Sequence, residues 1–325
     1  MASRRRKKWW LLKTRPRTPS RASKLMPSRV LIQLDADPQP STFDAIVAVD
    51  AGVDVLLRHG GVTPESAVPL VHGGMFTRGG QDLASTAVFV GGSDVAAAEA
   101  IFRSVQGAFF GPVRLGTMLD PSGANTTAAA AVVVAGRHVD LSRGSAVVLG
   151  ATGAVGRRVV RLLAREGAQV GVASRSIERA REVSESLAAT VEAARLTPVA
   201  ASGTAGKPTG ALLDLLAAAD VVVAAGAAGA RLLSSDGLRA CGAAKVFVDL
   251  NAVPPEGIEG VLAADAGRPL TAELPASEPP AVAYGPLGVG AIKMKIHREA
   301  VRQVFASNSA CLDADEMLAI GRALA

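Results

Sequence analysis

Residues 145–175 read SAVVLGATGAVGRRVVRLLAREGAQVGVASR, and no other stretch restricts the fold as strongly. Residues 146–149 are a short β-branched apolar run, the composition of a strand buried on both faces. The run breaks at Gly150, Gly153 and Gly156, after which Val155, Val159, Leu162 and Leu163 fall on one face of a helix. A second apolar strand covers 169–173. Strand, glycine turn, helix, strand is the order of a dinucleotide-binding unit. Glycine lets the backbone turn tightly and approach a pyrophosphate, while the free amides and positive dipole end of the helix face the phosphates. The spacing is G-x-x-G-x-x-G rather than G-x-G-x-x-G, so the pattern takes its weight from the flanking strands. A strand-to-helix turn that binds nothing is the competing reading.

The contacts expected from this unit are Gly150, Thr152, Gly153, Ala154, Val155 and Gly156 in the turn, and Ser174, Arg175 and Ser176 after the second strand. An NAD-binding unit places Asp or Glu at that strand end to accept from the ribose hydroxyls. A cation between two hydroxyls suits a 2′-phosphate instead, so the expected cofactor is NADP, with NAD left open. An ordinary exposed arginine is the alternative for Arg175. Gly226 and Asn251 follow two later strands and are expected at the nicotinamide half.

At 325 residues the chain has room for two domains. Only 3% of it is aromatic against 49% hydrophobic, which suits closely packed helix and sheet layers built from Ala and Val. The net charge of +6 misleads, because residues 1–28 hold ten Lys and Arg and no acid. Residues 29–325 therefore hold 25 bases against 29 acids, a net of −4, and show no nucleic-acid footprint. The apolar centre of the basic segment, residues 9–12, is too short for a secretory signal. Residues 1–28 are expected to be a disordered extension, or to reflect an upstream start with Met26 as the natural beginning. Two cysteines and four scattered histidines give neither a disulfide framework nor metal-ligand spacing, so no metal is expected. A reducing compartment, the cytoplasm, fits. No apolar run approaches the length of a membrane span.

In chain order, strands are expected at 29–34, 53–57, 86–90 and 113–119. Helices start from caps at Ser41, Thr63 and Asp94, and a fourth, alanine-rich helix from Thr126 or Thr127 to about residue 139. After the glycine unit come a helix over 176–189, a weak strand near 191–196, a loop over 201–208 and a helix over 212–218. Strands at 220–224 and 245–250, a helix after the glycine-rich 285–290 and a last helix from Asp313 complete the chain. The alternation implies an α/β protein with parallel sheets: a Rossmann-type doubly wound NADP domain and a parallel α/β substrate domain. Ligands of such sheets lie outside the carboxyl ends of the strands. In the first half those loops carry Asp35, Asp37, Asp44, His59, Ser93, Asp94, Asp120 and Asn125.

The segments QLDADPQPSTFD, RHGGVTPE, FVGGSDVAA, FFGPVR, GANTTAAAA, LGATGAVG, VDLNAVPP and GVGAIKMKIHR resemble the NAD(P)-dependent methylene-tetrahydromethanopterin dehydrogenases of methylotrophic and related bacteria. The resemblance spans about residues 29–325 and leaves the basic extension uncovered. It implies oxidation of the methylene bridge of a reduced pterin to the methenyl form, with hydride passing to NADP or NAD. It also implies a homo-oligomer and a substrate domain in two pieces, 29–140 and 286–325, around a dinucleotide domain at 141–285. Asp44, His59, Asn125 and Lys293 match positions that line the pterin site in that family. Removing hydride from a carbon between two nitrogens leaves a delocalised cation and no proton to abstract, so positioning and electrostatics matter more than a general base.

Plain structural roles compete for these residues: a helix cap for Asp44, a loop position for His59, a snorkelling side chain for Lys293. A short-chain dehydrogenase is excluded, because its Tyr-x-x-x-Lys pair is missing: Tyr284 is the single tyrosine and Gly288 stands four residues on. A methylene-tetrahydrofolate dehydrogenase and a non-catalytic NADP-binding sensor remain as alternatives.

Overall fold

Strand β1 (Val30–Asp35) and the three elements that join it set up the first sheet: β2 (Val55–His59), β3 (Thr86–Gly91) and β4 (Gly116–Leu119). The computed structural model describes residues 27–201, 206–274 and 279–325, so the expectation for the basic extension falls almost wholly outside the described residues. Helices α1 (Thr42–Asp50), α2 (Pro64–Met75) and α3 (Val95–Gly107) alternate with these strands, followed by α4 (Ala124–Gly136). The caps at Ser41, Thr63 and Asp94 each accept a backbone amide from the first turn that follows.

A second sheet begins with β5 (Ser145–Leu149), α5 (Ala154–Arg165), β6 (Gln169–Ser174), α6 (Ile177–Ala188) and β7 (Arg195–Ala200). It continues through α7 (Ala211–Ala218), β8 (Val221–Ala224), α8 (Ser235–Arg239), β9 (Val246–Asp249), β10 (Ala266–Pro269) and β11 (Val282–Tyr284). Its order is β10-β11-β9-β8-β5-β6-β7, parallel except for β10 against β11. This is the doubly wound arrangement. β6 and β8 flank β5, so the winding reverses at the carboxyl end of β5. The chain then returns: α9 (Pro286–Gln303) packs on α4 and α1, and α10 (Ala314–Ala323) on α4 and α9. Between them β12 (Cys311–Leu312) pairs with β4, giving a first sheet of order β12-β4-β3-β1-β2, all parallel.

Strand alternation divides the core into layers. Ile32, Leu34, Val88 and Val90 point to α2 and α3, whereas Leu31, Phe89 and Met118 point the other way, into a core shared with Ala146, Val148, Val170 and Val223 of the second sheet. Helix α4 lies inside that shared core. Nearly every residue from Ala124 to Ala135 is buried, so the helix is apolar all round and shows no amphipathic face. Its alanines keep it thin enough for sheet-bearing units to close on both sides.

Helix α4 differs from expectation at its start. It begins at Ala124, ahead of Thr126 and Thr127, and Gly123 is its side-chain-less N-cap. The capping is done from a distance. The Asp120 carboxylate accepts from the amides of Asn125 (2.9 Å) and Thr126 (3.1 Å) and from the Thr126 hydroxyl (2.6 Å). A short 3₁₀ turn over Pro121–Gly123, with Ser122 and Gly123 at positive φ, brings that carboxylate over the helix end. Register differs in two further places. β2 starts two residues later than the apolar run suggests, and β4 starts only at Gly116, because Phe110 and Val113 close a small turn upstream.

Candidate functional site

The glycine turn sits at the switch point, and each glycine has its own reason. Gly150 has φ +75°, and a Cβ there would stand 2.8 Å from the Ala225 carbonyl oxygen at the end of β8. A Cβ on Gly156 would collide with the Gly150 carbonyl oxygen, so this glycine sets how closely α5 packs on the turn. Gly153 is the N-cap of α5 and supplies no side-chain cap, which leaves the amides of the first helical turn without partners inside the helix.

Those amides face a cleft of about 690 Å³ at the carboxyl ends of β5, β6 and β8. Gly150, Thr152, Gly153, Ala154, Val155, Ser174, Arg175 and Gly226 line it, as does Arg179. Arg175 and Arg179 are exposed, and neither forms an ion pair among the described residues. Two more cations at the rim are already neutralised: Lys207 by Asp236 at 3.3 Å, and Arg231 by Glu259 at 3.4 Å. An uncapped helix start and two free guanidiniums in one cleft fit the pyrophosphate and 2′-phosphate of a dinucleotide.

Three expected cofactor residues do not line the cleft. Gly156 is buried in the α5 packing. Ser176 caps α6, its hydroxyl accepting from the Arg179 backbone amide at 3.2 Å. Asn251 ties its own loop: its amide oxygen accepts from Gly229 and Val253, and its amide nitrogen donates to the Pro255 carbonyl. Ser174 is buried and lies 3.3 Å from the Thr152 hydroxyl, linking the end of β6 to the glycine turn.

A second cleft, of about 330 Å³, opens at the carboxyl ends of β1, β3 and β4. Asp37, Phe43, Asp44, Ser93, Gly123 and Lys293 line it. Asp44 is held at the start of α1 by the Ser41 hydroxyl, which accepts from its amide at 3.2 Å. Burial pushes its carboxyl up to about 6, and the nearby Asp120 and Asp35 push the same way, against Ser41 and Lys293. The Lys293 ammonium lies 4.7 Å from the Phe43 ring centroid, and a Cβ on Gly123 would collide with it. Asp44 and Lys293, 249 positions apart, thus meet in one place.

Behind them lies His297, which the sequence reading missed. It is 1% exposed, with Nε2 3.9 Å from Asp44 and Nδ1 3.9 Å from Asp120. Nδ1 has no hydrogen-bond partner, and burial lowers the imidazole's proton affinity. The available signal was its place one helical turn after Lys293.

His59 and Asn125 are not in this cleft. His59 ends the edge strand β2 and lines a separate hollow with Ile32, Leu57 and Arg78. Asn125 is fully buried in the second position of α4. Its amide nitrogen donates to the Leu119 carbonyl (2.6 Å) and to Asp313 (2.8 Å), and its oxygen accepts from Arg158. Among the described residues no group of three acidic, His or Cys side chains is placed to hold a metal ion, and no helix is long and apolar enough to cross a membrane.

Comparison with known proteins gives the chain relatives along most of its length. Residues 42–122 match the family model described as methylene-tetrahydromethanopterin dehydrogenase, N-terminal, and residues 133–264 match the shikimate/quinate 5-dehydrogenase model. The chain is 37% identical to "Bifunctional protein MdtA" of Methylorubrum extorquens over 92% of this chain and 100% of that protein. It is 30% identical to the NAD(P)-dependent methylenetetrahydromethanopterin dehydrogenase of the same organism, over 84% of this chain and 91% of the other. Among solved structures, quinate dehydrogenase from Corynebacterium glutamicum in complex with NAD is a remote likeness, with TM-score 0.49 and 15% identity over 90% of this chain and 98% of its own.

Proposed function

We propose that this chain, which belongs to the methylene-tetrahydromethanopterin dehydrogenase family, is an oxidoreductase that moves a hydride from the methylene carbon of methylene-tetrahydromethanopterin to NADP or NAD, leaving the methenyl form. The observation that carries this reading is the presence, in a chain that aligns along nearly its whole described length with such relatives, of two clefts with complementary chemistry. One is built for a dinucleotide and the other presents a carboxylate and an ammonium.

In this reading the first turn of α5 holds the pyrophosphate, and Arg175 with Arg179 holds a 2′-phosphate. Bound there, the cofactor supplies a hydride acceptor at its nicotinamide. Asp44 binds the amino and ring nitrogens of the pterin through paired hydrogen bonds, and Lys293 orients the substrate from the same cleft. The product is a cation. Asp35, Asp37, Asp44 and Asp120 gather at this end of the first sheet against the single ammonium of Lys293, a bias that favours the charge as it develops. No side chain has to take a proton.

We further assign residues 29–140 and 286–325 to the substrate unit and 141–285 to the cofactor unit. His59, turned to another hollow, has no part in this scheme. A homo-oligomer follows from the resemblance, and the unbridged Cys241 and Cys311 are consistent with the cytoplasm. The test is purified protein with methylene-tetrahydromethanopterin and NADP, followed by the absorbance of reduced nicotinamide. Turnover only with the folate carrier would reassign the substrate. Tight NADP binding without turnover on either carrier would make the protein a sensor.

A further inference from the structure

Three arginines of α5, at positions 158, 161 and 165, form one stripe along the helix that follows the glycine turn. On sequence alone they belong to the cofactor helix, yet Arg158 does not line the cofactor cleft. It lines a neighbouring groove of about 510 Å³ between α3 and α5 that shares Thr152 and Ala154 with that cleft. Its side chain is 10% exposed, and all three of its nitrogens are used.

Each bond goes to a different element. Nη1 donates to the Ala154 carbonyl at 3.0 Å, in the first turn of α5 where the pyrophosphate seat lies. Nη2 donates to Glu99 of α3 at 2.9 Å. Nε donates to the Asn125 oxygen of α4. Asn125 carries the linkage on to the Leu119 carbonyl at the end of β4 and to Asp313, the N-cap of α10. The Asn125 backbone amide is itself held by Asp120, whose carboxylate also lies 3.9 Å from His297 behind the substrate cleft. Arg161 reinforces the arrangement through Asp313 and Asp315, and Arg165 through Asp315.

One buried guanidinium therefore joins the first turn of the cofactor helix to α3 and α4, the two helices that start from loops lining the substrate cleft at Gly92 and Ser93 and at Ser122 and Gly123. The two seats stand on different sheets, and a hydride passes between them only when donor and acceptor carbons come within about 3–3.5 Å. Core packing of α4 against α5 holds the units together but allows sliding of apolar surfaces. A planar fork with three fixed bonds does not. We propose that Arg158 is a positioning residue for hydride transfer, fixing the first turn of α5 through Glu99 and Asn125 against α3 and α4, whose leading loops line the substrate cleft. This inference rests on the hydride-transfer reading above.

The test compares Arg158→Ala, Arg158→Lys and Glu99→Gln with the wild-type chain. Arg158→Ala is expected to lower kcat between about ten- and a hundredfold, with the Kd of NADP changed less than about twofold. Millimolar guanidinium ion should restore part of that rate, which it would not do for a merely destabilised fold. Arg158→Lys should recover little, because an ammonium cannot make three bonds in one plane. Hydrogen exchange of amides 150–157 should accelerate in Arg158→Ala, a readout independent of turnover. Equal losses in kcat and NADP affinity would place Arg158 in the cofactor seat and overturn the proposal, as would a wild-type rate in the folded variant. If Arg158→Ala does not fold, Glu99→Gln decides: a smaller fall in kcat with faster exchange at 150–157 supports the proposal, and no change in either overturns it. If the wild type itself turns over no pterin, the proposed function fails, and the exchange experiment still decides whether Arg158 holds the turn.

Discussion

Oδ1 of Asp44 stands 3.9 Å from Nε2 of His297, too far for a hydrogen bond, so the imidazole does not satisfy the carboxylate in front of it. The carboxylate is buried with its strongest charge neighbours divided: Asp120 and Asp35 oppose its ionisation and Lys293 favours it. Its proton is consequently held to a higher pH than in the unfolded chain.

That relationship gives a stability prediction with a definite sign. The folded value of about 6 lies above the unfolded value of 3.8, so folding takes up a proton between them. Ionised Asp44 therefore costs stability above about pH 6, at most roughly 3 kcal/mol, and costs nothing below about pH 4. Asp44→Asn should raise the melting temperature at pH 8 and leave it nearly unchanged at pH 4, in melts at about those two values. An equal gain at both would show that the effect is not ionisation. The same variant should lose pterin turnover, and the wild-type kcat/KM for the pterin should rise through about pH 6.

Cofactor choice should reside in two guanidiniums. Arg175→Ala should weaken NADP binding by roughly 1–3 kcal/mol and leave NAD binding almost unchanged. Arg179→Ala should show the same asymmetry, since it lines the same cleft. Titration of each variant with both dinucleotides decides, and equal losses for the two cofactors would refute the assignment.

Lys293 is expected to act on the pterin alone. Lys293→Ala should lower turnover on the order of 10–100-fold while the Kd of NADP stays constant. Gly123→Ala should imitate it, because the added Cβ would displace the ammonium from its place over Phe43, and Gly123 also sits at φ +63°. Steady-state kinetics of the two variants would separate this from a general loss of folding, which would move NADP affinity as well.

Within the glycine turn two positions should respond unequally. Gly156→Ala drives a Cβ into the Gly150 carbonyl and should cost about 1–3 kcal/mol of stability along with NADP affinity. At Gly153 the nearest atom to an added Cβ is 3.5 Å away, so Gly153→Ala should be tolerated in the fold. Thermal melts of the two variants, with and without NADP, would show the contrast.

The features legible in the sequence were those written in neighbouring residues. The glycine turn, the caps at Ser41, Thr63 and Asp94, and the apolar strands β1, β3, β5, β6, β8 and β9 need only local chemistry to appear, whereas the strand expected near 191–196 lies at Arg195–Ala200 and the short β12 was not expected. Asp44 and Lys293 came from family resemblance, and their meeting depends on α9 returning over the first sheet. What stayed hidden depends on orientation. Asn125 stands in the expected segment, but the earlier start of α4 turns its side chain inward toward Arg158. His59 stands at a strand end, but β2 is the edge strand and its side chain faces another hollow. His297 looks like any helical residue until Asp120 and Asp44 are brought to either side of it.

The pairing of β12 with β4 carries a consequence for the order in which the molecule is made. The Thr117 amide donates to the Ala310 carbonyl at 2.8 Å, and Cys311 and Leu312 take up the outer edge of β4. A chain emerging from the ribosome completes the second sheet at residue 284 while β4 still exposes unpaired backbone. The half of the protein begun first is finished last. Until then an unpaired strand edge is open to pairing with other chains, so nascent or C-terminally clipped forms should be the aggregation-prone species.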